Sequence, residues 1–335
     1  MAVALSDAAT ATDRTTAGAG QVRRRTLAGP LRWLLLAPRR AAILLLLLVA
    51  VFLAVDLLPG DAATATGERG EAAEERRRLL GLDQPVWQRL WEWLSGLPRG
   101  DLGTSARGEP VTDLLATPFP NTLLLSGLTL GLTVLVALTL GCRAALRRGG
   151  PLDRAVSLTS TVAIALPEFV ISVGLLLTLS LWTGWLPATT MTGADGSITS
   201  WNMLLMPVLA LAIPQIGWNA RIVRAALTDQ AALPHVEAAH LDGLPSARVL
   251  LRHALPGALP TIAAGLATST GMLLGGAVVV ESLFNYPGVG TVLSGAIADR
   301  DTPVIVGAVA CTGAAVTLVL LIADLIRART LGGRP

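Results

Sequence analysis

All three histidines of the chain, His235, His240 and His253, fall within one short stretch, so metal binding is the first chemistry to test. Their spacings of five and thirteen match neither an i,i+4 helical pair nor a zinc-finger pattern, and no cysteine joins them. They read as polar residues of one exposed loop, and no metal or cofactor is expected. The acids are more suggestive. Glu168 stands alone in a long apolar run beside Pro167, and an ionisable group at that depth must face protein or a wet cavity. Two readings stay open for it: an acid lining a pathway and attracting a cationic group, or a carboxyl satisfied by helix–helix hydrogen bonds or by protonation. Glu281 and Asp324 close apolar runs and read as interfacial anchors or structural partners. There is no HExxH, no GxSxG and no Cys–His pairing, so no catalytic set emerges and the chain does not read as an enzyme. All 26 basic residues are arginine. A phosphate-cradling GxxxxGK[ST] loop needs its lysine, so any ATP hydrolysis linked to this protein belongs to another polypeptide.

The elements that position these residues are membrane helices. The chain has 335 residues, of which 52% are apolar and 15% charged, a membrane composition. A hydrocarbon core of ~30 Å needs about 20 apolar helical residues. Six segments meet or approach that length: Ala41–Leu58, Thr122–Gly141, Val156–Trp182, Met203–Trp218, Pro260–Val280 and Pro303–Ala323. The fourth is the shortest and is interrupted by Pro207 and Pro214. Arginine sets the orientation. Eighteen lie in residues 1–40, the second–third and fourth–fifth connections and the C-terminal tail. The opposite side has only Arg300 in its short loops, and seven in a first loop too long to weigh in the positive-inside rule. Both termini are therefore expected in the cytoplasm of a multi-pass plasma-membrane protein. Cys142 and Cys311 fall at opposite faces, and no disulfide is expected.

The expected organisation is a disordered tail over 1–30 and a first transmembrane helix with an amphipathic lead-in over 31–58. An extracytoplasmic loop with short helices follows over 59–121. A core of five further transmembrane helices spans 122–326, and a tail 327–335. The run Ala63-Thr64-Ala65 mimics a signal cleavage site, but the leader ahead of the apolar run is too long for a secretory signal. Within the outer loop, Glu71–Leu80 is charged and helix-prone. Asp83 reads as an N-cap ahead of Pro85, and Trp87, Leu90, Trp91 and Leu94 form a stripe at helical spacing. That stripe suits a helix at the membrane–water boundary or one covering the bundle ends.

The connection 220–259 carries the most specific pattern. Glu237-Ala238-Ala239 is followed by Gly243 six positions after the Glu and by Leu255-Pro256. Pro234 presets a first helical turn, Glu237 suits a helix N-terminus, and Gly243 with Pro245 ends the helix. This resembles the EAA loop of ABC-importer permeases. Further blocks resemble dipeptide/oligopeptide-type permeases: Leu80-Gly81-Leu82-Asp83-Gln84-Pro85, Gly100-Asp101-Leu102-Gly103-Thr104-Ser105, Pro120-Asn121-Thr122, the run Gly275–Phe284, Tyr286-Pro287-Gly288-Val289-Gly290, Arg300-Asp301 and Pro303. On these blocks, in order from about residue 31 to Asp324, the chain is identified as a member of the peptide-type binding-protein-dependent ABC permeases. It departs from the pattern at His235, His240 and Asp242, where an aromatic or basic residues are usual, and after Asp324.

The resemblance implies an all-α fold of six transmembrane helices of the type I importer kind. It further implies half of a central pathway completed by a homologous permease, two ATPase subunits docked on the cytoplasmic loop, and an extracytoplasmic solute-binding protein. By the same resemblance Glu237, Ala238, Ala239, Gly243, Leu255 and Pro256 couple to the ATPase. Tyr286, Pro287, Gly288 and Gly290 form an outer gate or touch the binding protein. An ion-gradient-driven carrier is the competing class, and the single deep acid and absence of a clear repeat argue against it. The other competitor is a membrane-embedded assembly protein with no transport role.

Overall fold

The computed structural model describes residues 29–58, 60–65, 70–193 and 198–332, with side chains from 37 to 326. The tail expected over 1–30 thus falls almost wholly outside the described residues. The chain divides into two units, Met1–Ala42 and Ile43–Pro335. The described part of the first is the opening of α1 (Gly29–Asp56), and the packing below concerns the second. After α1 come the short helices α2 (Ala62–Ala65), α3 (Glu71–Leu79), α4 (Val86–Gly96) and α5 (Val111–Ala116). The long helices are α6 (Pro118–Leu146), α9 (Leu205–Ala231), α12 (Leu255–Leu283) and α14 (Thr302–Gly332). Between them lie α7 (Pro151–Ala165), α8 (Glu168–Leu175) running into a π-helical stretch Leu176–Trp182, α10 (Pro234–Leu241), α11 (Ser246–Val249) and α13 (Val289–Ala298). Among the described residues the only β pairing is two isolated bridges. Five stretches are long and apolar enough to cross a membrane, and a sixth is added if α7 and α8 together count as one bent span.

That pair differs from the straight helix expected over Val156–Trp182. The two halves meet at 100°. Leu166 and Pro167 take extended conformations, with ψ of 121° and 146°. A proline disfavours helical backbone at the residue before it. The fourth span departs in the other direction. In place of Met203–Trp218 the structure has an unbroken α9 over 27 residues, with Pro207 in its first turn and Pro214 inside. Pro207 costs nothing where the N–H has no helical partner anyway. Beyond Trp218 the helix continues with its polar face anchored. The Asn219 amide donates to the Gln215 carbonyl and to Ser269 Oγ, both at 2.9 Å.

α9 is the central pillar, packed against α6, α7, α8 and α12. Small residues make this possible. The buried face of α6 includes Ala137, Gly141 and Ala144, and Gly217 of α9 lies against Ser160 and Ala163 of α7. Close backbone approach of this kind drives helix association where lipid removes the hydrophobic incentive. At the α7–α9 end the Asp153 carboxylate, 4% exposed, pairs with Arg224; the second contact, Arg224 Nη2 to Asp153 Oδ2, is 2.9 Å. The Gly149 N–H donates to the same Oδ2. Asp324, expected to end the last span, lies inside α14, which continues to Gly332.

Between α1 and α6, α4 and α5 pack as a small helical cap. Leu90 and Trp93 of α4 are buried with Leu48, Phe52, Leu102 and Val111, and the Trp93 indole N–H donates to the Leu102 carbonyl at 2.9 Å. Trp87 and Trp91 stay more than 60% exposed. The expected stripe is therefore split: Leu90 and Leu94 pack on the core, joined there by Trp93 from outside the stripe, while Trp87 and Trp91 one turn apart face away. The N-cap differs too, because α4 begins at Val86 with Pro85, not Asp83, at the cap and no side-chain capping bond. Arg89 bridges the cap to Asp56 of α1. Burial pulls the Asp61 carboxyl upward, but the Arg77 guanidinium and Thr64 donors outweigh it and hold the group below its ordinary value.

Candidate functional site

The segment joining α9 to α12 is built from local signals. Leu233 is extended, Pro234 is the first residue of α10, and Glu237 lies in its first turn. The helix ends at Asp242, whose N–H bonds the Ala238 carbonyl at 2.9 Å. Gly243 follows with φ 76°, and its N–H meets the His240 carbonyl at 3.1 Å. A left-handed residue after the last turn suits glycine, which has no Cβ to clash. α10 is held by one face only. Val236 and Ala239 are buried against Ala226, Leu227 and Val249. Pro234, His235, Glu237, Ala238, His240 and Leu241 are exposed, Leu241 at 83%.

This corrects one expectation. Ala238 and Ala239 were both expected among the ATPase-coupling residues, but a helix turns 100° per residue and Ala239 points into the chain's own core. The outward face is Glu237, Ala238 and Leu241. Leu255 and Pro256 open α12, with Leu255 packed on the same core. Of the histidines, His235 and His240 are exposed while His253 sits in the π-helical stretch Leu250–Ala254, with Nδ1 buried.

Glu168 begins α8 at the 100° break, where the helix N-terminus favours negative charge. It is half-buried and rests on bare backbone of α12: a β-carbon at Gly276 would stand 3.1 Å from Glu168 Oε1. Beside it runs an exposed stripe of α12, Thr261, Ala264, Thr268, Met272, Gly275 and Val279. Two threonines and a glycine on an outward membrane face suit water or a partner helix better than lipid tails.

At the opposite end of α12 the structure brings together residues that the sequence kept apart. Glu281 is fully buried; Thr122 Oγ1 donates to its Oε1 at 2.7 Å and the Gly290 N–H to its Oε2 at 2.6 Å. The Val289 N–H donates to Thr122 Oγ1, the Tyr286 hydroxyl to the Asn121 carbonyl, and the Asn121 amide to the Pro287 carbonyl, at 2.7 to 2.9 Å. Burial, and secondarily the Glu281 carboxylate, push the Tyr286 phenol up. Tyr286, Gly288 and Gly290 are buried and Pro287 is half-buried, so their side chains and α-carbons lie inside this knot rather than on a free docking face. The sequence left Glu281 as an interfacial anchor or a structural partner, and its bonds to Thr122 and Gly290 make it the second. The available signal was the glycine pattern: a β-carbon at Gly288 would overlap the Glu281 carboxylate, and one at Gly290 would stand 2.7 Å from Oε2. Asp301 was equally unremarked. Its Oδ2 accepts the Ala106 N–H at 2.7 Å, tying the connection between α4 and α5 to the start of α14, and burial raises its carboxyl despite the backbone donors.

The structure is thus a bundle of long apolar helices with a 100° break between α7 and α8 and a glycine-capped helix exposed on one connection. Residues 137–330 match the family described as binding-protein-dependent transport system inner membrane component, and the chain belongs to that family. It is 34% identical over 289 residues to the glutathione transport system permease protein GsiC of Pectobacterium atrosepticum, covering 85% of this chain and 92% of that one. It is 32% identical over 291 residues to the probable peptide ABC transporter permease protein y4tP of Sinorhizobium fredii, with the same coverage. A chain of the MetNI methionine ABC transporter in an inward-facing form shares the fold, with a TM-score of 0.53 at 18% identity over 65% of this chain and 96% of that one. The protein is thus a multi-pass, all-helical ABC importer permease.

Proposed function

We propose that this chain is the transmembrane subunit of an ATP-driven importer for peptides or related small solutes. It forms half of the translocation pathway and couples to separate ATPase subunits through α10. The observation that carries this reading is the outward face of α10: a helix held by Val236 and Ala239 alone that leaves Leu241 83% exposed beside Glu237 and Ala238. A short helix packed by one face, with Glu237, Ala238 and Leu241 turned outward together, offers a partner a compact surface. The arginine distribution puts this connection and both termini in the cytoplasm, where an ATPase is found. A homologous permease completes the pathway along the α12 stripe, and a solute-binding protein delivers substrate at the opposite end. The names of the glutathione and peptide relatives support a peptide-class solute. ATP-driven closure of the ATPase pair moves α10, and the movement biases the bundle between inward- and outward-open states.

The test is reconstitution with the partner permease, ATPases and binding protein in vesicles. Import of labelled peptide should require both ATP and the binding protein, and a cysteine in place of Pro245 should react only from the ATPase side. Uptake driven by an ion gradient by this chain alone, or labelling of residue 245 from the opposite side, overturns the reading.

Glu168 is assigned to the pathway, where its carboxylate beside Gly276 meets the cationic end of the solute. Glu168→Gln should lower import about tenfold for a substrate whose ammonium it holds, as expected when ~1.4 kcal/mol is lost, with assembly unchanged. Loss of folded complex instead would make Glu168 structural, and no change in either would remove it from the pathway.

A further inference from the structure

The knot around Glu281 does more than close a turn. Its carboxylate accepts hydrogen bonds from α6 through Thr122 and from the first turn of α13 through Gly290, while belonging itself to the last turn of α12. Three elements therefore meet on one carboxyl group. Among the described residues no salt bridge to Glu281 is found, so the group is held by the first turn of α13 and by hydroxyl and backbone donors. A buried carboxylate satisfied only by hydrogen bonds is costly once any donor leaves. Such a junction has two settings, fully made or opened to water, with little stable ground between. The fit leaves no room for slippage: at Gly290 an added β-carbon would stand 2.5 Å from the Val278 backbone.

The other end of α12 leads to the coupling segment. Helical backbone is continuous from Ser246 to Leu283. From Leu255 to Glu281 this is a rod of about 40 Å. α10 joins that rod through the short connection 242–245 and packs against α11 and Leu250–Ala254 at its start, so a displacement of α10 is passed to the rod by contact and along it to the knot.

We propose that Glu281 is the positioning residue of a latch. It clamps the Tyr286–Gly290 segment to the first turn of α6, keeps the binding-protein end of the pathway shut, and is released when α12 is displaced by the coupling segment. This rests on the importer reading above. It adds that the latch must open in each transport cycle, and that holding it closed restrains ATP hydrolysis until the binding protein engages.

The experiment starts from the reconstituted wild-type complex, whose ATP-dependent import tests the importer reading separately. Absence of import there refutes that reading rather than the latch. Given import, Glu281→Gln and Thr122→Val are compared per assembled complex. Hydrolysis without the binding protein should rise at least fivefold relative to stimulated hydrolysis, and solute imported per ATP should fall at least tenfold. Thr122→Ser, which keeps the hydroxyl, should return both values towards wild type. Import and hydrolysis that fall together in proportion to assembled complex would mark a purely structural role and overturn the proposal, as would unchanged coupling. Should the variants fail to assemble, a cross-link decides. With Cys142 and Cys311 replaced, cysteines at Asn121 and Pro287 are joined and import is measured before and after reduction. The latch requires at least a tenfold recovery on reduction, and equal import in the two states overturns it.

Discussion

Gly243→Val is expected to lower ATP-driven import about tenfold or more while the chain still reaches the membrane. Gly243 sits at φ 76°, where nothing lies within 4 Å of an added β-carbon. Space is therefore not the obstacle; backbone conformation is. A non-glycine residue in the left-handed region costs about 1–2 kcal/mol, and a β-branched one resists it further. The relaxed alternative moves Gly243 out of that region and breaks the closing bonds of α10, from the Gly243 N–H to His240 and the Leu244 N–H to Ala239. Because only Val236 and Ala239 hold the helix, its outward face would then tilt away from the partner. Gly243→Asn separates backbone strain from other causes, since asparagine tolerates this conformation, and most import should survive it. Glu237→Lys reverses an exposed charge in the first turn, which alters helix stability by only ~0.3–1 kcal/mol. A large import defect there reports on docking and not on folding. Both losses should appear as weak ATPase association, or as hydrolysis without import, with binding-protein delivery intact. Normal import with normal association in both variants would remove the coupling role from α10.

The parts of the molecule that were legible in the sequence are those fixed by neighbours along the chain. Pro234 and Gly243 bracket α10 by local backbone preference, and the apolar runs mark the spans by length alone. What was not legible depends on partners remote in sequence. Glu281 and Thr122 are 159 positions apart, and each alone is an ordinary polar residue near a helix end. The stripe Trp87, Leu90, Trp91 and Leu94 had the right period, yet which side faced inward was set by Phe52 and Leu102 lying across from Trp93. Prolines divide in the same way. Pro167 breaks its helix and Pro214 does not, although both interrupt apolar runs. The difference lies in what surrounds them: α9 is enclosed by α6, α7, α8 and α12, and Pro214 itself is buried, whereas Leu166 and Pro167 are exposed.

The α6–α9 contact gives the largest expected effect on folding. A β-carbon at Gly141 would stand 2.6 Å from both Cβ and Cγ1 of Val223 and 3.0 Å from the Ala220 carbonyl oxygen. The nearest atoms belong to a β-branched side chain fixed at χ1 and to helical backbone, so neither can rotate away. Gly141→Ala must therefore push α6 off the central pillar, at a cost of about 1–3 kcal/mol for overpacking, with Gly141→Leu worse. Glycine to alanine inside a helix otherwise stabilises by about 0.5–1 kcal/mol. Gly127 and Gly131, on the same helix, have nothing within 4 Å of an added β-carbon. The same substitution should thus change sign along one helix: Gly131→Ala neutral or stabilising, Gly141→Ala strongly destabilising, read as thermal stability and yield of the purified chain. Both clashing atoms of Val223 are removed only by Val223→Gly, so that double variant should recover part of the loss beyond the ~1 kcal/mol that glycine itself costs in a helix, a coupling that distant sites would not show. Equal effects at Gly131 and Gly141, or no coupling between Gly141→Ala and Val223→Gly, would mean that α6 and α9 do not meet at this glycine in the folded protein.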